Sequence, residues 1–507
     1  MCLKDLSVSL NNRFLLLCLL SFTTLPLYAD TYWNQFRGPN GQGTLDGAEP
    51  PVVLDVEKNM MWKTSLPPGH SSPAIWKDRI FLTAFENDQL STIAIDRSSG
   101  EITWKRSTPY EAIKASNSFA RLHSESSPAA PTVCVDANHV YTYFPSFGAI
   151  CYSHDGNQVW EVNIPHNQFA WGSTTSPSVF LGTLFIIRDC MEKDGSYLLA
   201  LDAKTGEEQW KTPRPFSMAS FSTPAILSIG DLDELIVLGT GRLSAYNMKT
   251  GEENWYVDGL GTSAISVPLF DKDRIYVSMK ALVGFDVAYD SEKAWEYFMT
   301  FDANKNQALE FSELTDDMKI PQRPELPYDN PGFGMKIRAN QFKRNDQNQD
   351  GKVTFDEFKE KMEENTKNME ASFSCIKVHT ASENGAKSNI LWTQNRFLTE
   401  IPSILFYKDR LYSIANGGIF ICRNKDTGEI IHRARINAPG MYASSPIAAN
   451  DHIYLCSKQG IVSVMKADDS FEIVTRLDLD EYIYATPALH DNEIYIRTVN
   501  HLYAFGE

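Results

Sequence analysis

SPSVFLGTLFIIRDCMEKDGSYLLALDAKTGEEQW, residues 176–210, reads as a small sheet written in one line. Ser176-Pro177 opens a short strand, Leu184–Ile187 is an apolar, β-branched run, Tyr197–Leu201 alternates as a further strand, and after the Thr205-Gly206 turn a last strand closes on Trp210. Apolar runs bounded by Pro, Gly and Asp mark short antiparallel strands joined by tight turns. Such a sheet is apolar on both faces. It cannot hide itself from water alone and needs copies of itself on either side.

The copies are present. An X-Pro opening recurs at Pro73, Pro128, Pro177, Pro224, Pro268, Pro402, Pro446 and Pro487, with gaps of 55, 49, 47, 44, 134, 44 and 41 residues. The second strand recurs as RIFLTA (79–84), HVYTYF (139–144), RIYVSM (274–279), RLYSIA (410–415), HIYLCS (452–457) and EIYIRT (493–498). The closing turn recurs as SGEITW (99–104), DGNQVW (155–160), TGEEQW (205–210), TGEENW (250–255) and, with His432 in place of Trp, TGEIIH (427–432). A period in the forties predicts stacked four-stranded units, here eight. The last unit is one strand short, because the chain ends after HLYAF (501–505), and a spare strand, MMWKTSL (60–66), precedes the first opening. If that strand completes the eighth sheet the ring closes, which removes open sheet ends. The expected fold is therefore an all-β, eight-bladed β-propeller closed by an N-terminal strand. An open solenoid would have no use for the spare strand.

The chain has 507 residues, 43% of them apolar, a net charge of −17 and a pI near 5.1. No Lys/Arg-rich run occurs, which argues against nucleic acid and anionic membrane surfaces as partners. Residues 1–29 read as a signal peptide: Lys4 and Arg13 precede the apolar run Phe14–Leu27, and Ala29 suits a cleavage position. The run is short for a transmembrane helix and the mature chain holds no later span, so a periplasmic or secreted protein is expected. Outside the leader six cysteines remain, at 134, 151, 190, 375, 422 and 456, with no CxxC pair; buried thiols are expected. The glycine-rich stretch 32–43 is too irregular for a strand and is expected to pack over a rim of the ring.

The 134-residue gap marks an insertion in blade five, dividing the chain into propeller (30–286), insertion (287–370) and propeller (371–507). Here the grammar changes. Ala294, Tyr297, Phe298 and Phe301 follow helical spacing, and DANKNQALEFSE (302–313) follows directly. DQNQDGKVTFDE (346–357) comes later, between a helix expected around Phe342 and FKEKMEE (358–364), with a proline-rich connector (320–334) between the two loops. Both twelve-residue stretches fit the calcium loop of an EF-hand, with oxygen ligands at positions 1, 3, 5, 7, 9 and 12. The second offers Asp346, Asn348, Asp350, the Lys352 carbonyl, Thr354 (directly or through water) and Glu357, with Gly351 at the sharp turn. The first offers Asp302, Asn304, Asn306, the Ala308 carbonyl, Glu310 and Glu313, with Leu309 expected to face Val353. Gln307 replaces the turn glycine and Asn306 stands where the second loop has Asp350, so the second loop is expected to bind Ca²⁺ more tightly. Where calcium is millimolar, sites of roughly 10⁻⁴ to 10⁻³ M stay filled and the role is structural.

Residues just before each X-Pro are expected at one mouth of the central channel: His70, His123, Glu125, Trp171, Ser173, Glu400, Tyr442 and Tyr484. A mouth rich in His, Glu and aromatics could hold a ligand, or these side chains could simply fill a solvated channel.

The AxDxxTGxxxW pattern, seen as ALDAKTGEEQW (200–210), AIDRSSGEITW (94–104) and AYNMKTGEENW (245–255), resembles that of the PQQ-like (pyrroloquinoline-quinone-type) β-propeller family. QFRGPNGQG (35–43), YASSP (442–446) and RTVNHLYAFG (497–506) look like a bacterial exported subgroup whose members sometimes carry EF-hands. The resemblance implies two functional classes. Quinoprotein dehydrogenases of this fold clamp the quinone between a Trp and a disulfide of adjacent cysteines, with Ca²⁺ and an Asp base. The closest mature cysteines here, Cys134 and Cys151, are 17 apart and no channel Asp stands out, so PQQ is not the expected cofactor. The other class is a non-catalytic binding or scaffold propeller, like the outer-membrane assembly lipoprotein of the same fold. That class is the expectation, with an envelope protein or extracellular ligand as partner and a monomeric state. A polysaccharide-binding module is a third reading, with no motif behind it.

Overall fold

A computed structural model of the chain describes residues 32–110, 126–165, 172–190, 195–214, 220–229, 232–261, 263–279, 291–315, 319–320, 335–336, 345–368, 372–378 and 390–506. They form eight four-stranded antiparallel sheets, the blades of one propeller. The stretch that decides the fold is blade three: Ser178–Phe180, Thr183–Arg188, Tyr197–Asp202 and Glu208–Pro213, hydrogen-bonded in that order. Its two middle strands are buried almost throughout, because each face lies against a neighbouring blade.

Closure is as the spare strand predicts. Met60–Ser65 is the outer strand of blade eight, antiparallel to His501–Phe505, with Trp62 opposite Ala504 and Thr64 opposite Leu502. This strand also brings the repeat's Trp. In each interval where the Thr-Gly turn is described, the Trp of one blade lies against the turn glycine of the next. A Cβ on Gly100 would meet the Trp62 ring at 2.6 Å, and one on Gly206 would meet the Trp160 ring at 2.8 Å. The same contact recurs for Gly156 with Trp104, Gly251 with Trp210 and Gly428 with Trp392. Both constraints at these turns, no Cβ and a positive φ, demand glycine. Each indole N–H then donates to a turn carbonyl of the next blade: Trp62 to Arg97 O (3.0 Å), Trp104 to His154 O (2.8 Å), Trp160 to Ala203 O (3.0 Å), Trp210 to Met248 O (3.0 Å) and Trp392 to Lys425 O (3.1 Å). The Gly and Trp of the repeat are thus halves of an inter-blade joint, not partners within one blade. Where His432 replaces Trp, it stacks on Phe471 of blade seven at 4.2 Å.

A second joint circles the channel. The residue before each inner strand donates its backbone N–H to a hydroxyl at the same position of the next blade: Ser72 to Thr132, Thr132 to Ser176, Ser176 to Thr223, Val267 to Ser403, Ser403 to Ser445, Ser445 to Thr486 and Thr486 back to Ser72. Val267 has no hydroxyl, and there the girdle is broken between blades four and five. This register corrects the repeat positions in two blades. Thr132 and Ser403, each followed by a non-proline residue, occupy the opening position, so Pro128 and Pro402 lie upstream of it.

The stretch 32–43 does not lie over a rim. It runs inside the channel, with Arg37 fully buried. Trp33 O accepts from Ile75 N, Asn34 exchanges two hydrogen bonds with Val135, Asn40 does so with Ile226, Gln42 engages Pro268 O and Phe270 N, and Gly43 O accepts from Ala448 N. The irregularity has a physical source: Arg37, Gly38, Asn40, Gly41 and Gly43 all have positive φ. A Cβ on Gly38 would lie 2.5 Å from the Trp33 ring, and one on Gly43 would lie 2.6 Å from Arg37 Nη2.

Blade five is whole as a sheet. Arg274–Met279 pairs directly with Ser372–Lys377, so the insertion leaves and returns at the end where the inner strands begin. The helix expected around Phe342, like the leader, lies outside the described residues.

Candidate functional site

The inserted pair is built on helix α1 (Ser291–Phe298) and helix α2 (Phe355–Asn368). Their apolar faces meet in a small core of Ala294, Trp295, Phe298, Leu309, Val353 and Phe358. Trp295 packs on Phe358 at 5.6 Å between ring centroids and Phe298 meets Phe358 edge-on at 5.4 Å. Between the loops a two-residue antiparallel ladder joins Leu309 to Val353 and Glu310 to Lys352, the pairing that the apolar eighth positions predict.

The two loops fold alike, residue for residue. Positions four and six are left-handed in both: Lys305 (φ 59°) and Gln307 (φ 65°) in the first, Gln349 (φ 59°) and Gly351 (φ 85°) in the second. Gln307 thus adopts the turn that its partner leaves to glycine, at a cost on the order of 1 kcal/mol. Position one collects the loop's own amides: Asp302 accepts from Asn306 N and Gln307 N, Asp346 from Asp350 N and Gly351 N. Asn304 and Asn348 accept from position five, and Asn306 and Asp350 accept from position seven, the residues whose carbonyls (Ala308, Lys352) complete the ligand set. Position twelve closes each loop. Glu313 accepts from Ala303 N (2.9 Å) and Glu310 N (2.9 Å); Glu357 accepts from Thr354 N (2.9 Å) and Thr354 Oγ1 (2.8 Å) and reaches Asn348 N (3.4 Å).

The ninth positions also differ. Glu310 is held by Lys352 Nζ at 3.2 Å and by Asn306 Nδ2 at 2.8 Å, which lower its pKa; Thr354 carries no such cation. Among the described residues, no three His, Cys, Asp or Glu side chains gather into a ready metal cluster.

The channel-mouth residues divide into separate groups. His70 stacks on Tyr484 at 3.9 Å, and Lys458 Nζ lies 5.2 Å above the Tyr484 ring. Burial, with the charges of Arg497 and Lys458, pushes the His70 imidazole down to about 3. Arg497 is wholly buried and donates to Ser71 O (2.9 Å) and Ser71 Oγ (2.5 Å); desolvation lowers it to about 9. Across the mouth, Asn416 donates to Glu400 at 2.7 Å and accepts from Tyr442 N at 2.7 Å, while the buried Tyr442 hydroxyl donates to Ala438 O. Ser173 is buried in blade three, apart from both groups. His123, Glu125 and Trp171 lie outside the described residues.

Sequence reasoning missed Arg497, Lys458 and Asn416, which stand where second strands end and carry no X-Pro signal. It also missed Asp189, buried between blades three and four, which accepts from Arg214 at 2.9 and 3.0 Å and from Ser220 Oγ at 2.5 Å. All six described cysteines are buried and none is in a disulfide, and burial raises the thiols of Cys134, Cys151, Cys375, Cys422 and Cys456. No two of them are neighbours in sequence, so the residues do not fit the adjacent-cysteine clamp of a quinone site.

Residues 193–310 match the family described as PQQ_2, outer membrane protein assembly factor BamB, from blade three into the first loop of the insertion. Over those residues the repeat is similar to that of this family. Among solved structures, BamB from Moraxella catarrhalis is 12% identical, with 88% of this chain and 98% of that one covered and a TM-score of 0.48. The computationally designed Ika8 protein is 10% identical over 89% and 100%, TM-score 0.50, and a europium-containing methanol dehydrogenase is 11% identical over 94% and 98%, TM-score 0.50. At such identities the likeness is one of fold. No curated protein matches the chain. Among the described residues no helix is long and apolar enough to cross a membrane.

Proposed function

We propose that this chain is an exported, calcium-binding scaffold of the cell envelope whose propeller presents binding surface and catalyses nothing. The observation that carries the calcium reading is the matched pair of loops. They share left-handed turns at positions four and six, inward-bonded acids at positions one and twelve, and a ladder that couples them. When bound, Ca²⁺ would supply charge neutralisation to Asp302, Glu310 and Glu313 in one loop and Asp346, Asp350 and Glu357 in the other. Paired loops around six buried apolar residues make a fold whose stability depends on the ion. The envelope location rests on the leader-like N-terminus and on the match of residues 193–310 to a family described as an outer membrane protein assembly factor. The inert, separated cysteines weigh against a quinone-dependent dehydrogenase.

Calorimetric calcium titration of the full chain tests this. Two sites are expected, and Glu357→Ala weakens the tighter one at least about tenfold. A chain that takes up no calcium at millimolar concentrations contradicts the reading. Added quinone and calcium are expected to give no alcohol-dependent dye reduction; turnover would contradict the scaffold assignment.

A further inference from the structure

The inner strand of every propeller blade is an edge strand, with N–H and C=O groups turned to the channel and no strand to pair with. Here the segment Trp33–Thr44 meets those groups. Asn40 meets Ile226 as a strand would, accepting from its N–H at 2.7 Å and donating to its carbonyl at 2.5 Å. Gln42 repeats this on blade five, accepting from Phe270 N at 3.0 Å and donating to Pro268 O at 3.3 Å. Asn34 does it on blade two through its own carbonyl and side-chain amide, at 2.9 and 3.1 Å from Val135. Trp33 O serves blade one, Gly43 O and a parallel bridge from Thr44 to Ala448 serve blade seven, and Arg37 Nη2 reaches Ile404 O of blade six at 2.8 Å. One segment of a dozen residues therefore touches six inner strands.

We propose that Trp33–Thr44 is an axial lock: it docks in the channel as a surrogate strand, and the six inner strands hold their closed arrangement as one unit only while it is in place. Without it, the amides and carbonyls it serves lose these fixed partners. The segment's glycines and left-handed turns spread its polar groups round the axis instead of along one edge. The same N-terminal run continues into Met60–Ser65, which completes blade eight, so lock and closing strand arrive together.

Hydrogen–deuterium exchange of the full chain tests the lock in Asn40→Ala, a side chain that serves blade four alone. The expected result is a joint rise of about tenfold or more in exchange at 225–229 and at 134–135, 269–271 and 447–449, whose own partners in the segment are intact. A rise confined to 225–229 would overturn the proposal and reduce the segment to independent contacts. Gln42→Ala, acting on blade five, must spread to the same strands; should either variant fail to fold, the other carries the measurement.

Discussion

Trp104 in blade one and Trp295 in the insertion are both buried aromatic anchors, but they are buried by different means. Trp104 lies under the turn glycine of the next blade, its indole N–H held by His154 O, and the arrangement repeats round the ring. Trp295 has Phe355, Phe358 and a core of six buried residues, and nothing repeats. A blade always has another blade to hide its faces. The inserted pair buries only six apolar residues among those described, and on the proposed reading calcium at its two loops makes up the difference.

Four changes probe that contrast, beginning with the largest. Trp104→Ala removes a repeated joint and is expected to cost the ring about 3–5 kcal/mol in urea unfolding. Its calcium titration should match the parent; altered calcium affinity would show that the two regions are not independent. Acid comes next. The His70 imidazole is held near 3, against about 6.5 when unfolded, so between those values the unfolded chain binds the extra proton. Its contribution is complete above pH 6.5 and falls by about 1.4 kcal/mol per pH unit as the pH drops toward 3. His70→Phe, which keeps the stack on Tyr484, should flatten that part of the ring's pH–stability curve and leave calcium binding at pH 7 unchanged. An unchanged slope would mean that His70 is protonated or exposed in the folded ring.

Glu357→Ala comes third. Two backbone N–H groups and the Thr354 hydroxyl lose their acceptor, a bound Ca²⁺ would lose the loop's bidentate carboxylate, and calcium affinity at the second loop should fall at least about tenfold, near 1.4 kcal/mol, with the ring's far-UV strand signal intact. Loss of the strand signal would contradict the division into ring and insertion. The smallest effect runs the other way. Gln307→Gly relieves a left-handed side-chain position and should tighten the first loop by about 1 kcal/mol, near fivefold.

How much was legible follows the same division. The ring could be read because its joint is written as a repeated Gly and Trp, and the closing strand because MMWKTS mirrors EQWKTP of blade three. The Ser or Thr at this position in seven of the eight blades was visible, but the girdle it forms was not, since every bond in it crosses to another blade. Two openings were misplaced because Pro marks the position only by preference, and Thr132 and Ser403 fill it without a following Pro. The axial segment was unreadable for a deeper reason. Its partners lie between 42 and 409 residues away and its backbone has no period, so RGPNGQG looks like any surface turn. The paired turns of the insertion and their Leu309–Val353 ladder were legible because their spacing is local. Which mouth residues meet was not, since the His70–Tyr484 stack joins the two ends of the chain.

The most direct test of the account is differential scanning calorimetry of the full chain in calcium and in chelator. The account predicts a small transition, from the inserted pair, that shifts strongly with calcium, and a large one, from the ring, that stays in place. A single transition that moves as a whole with calcium, or a profile that ignores calcium altogether, would contradict it.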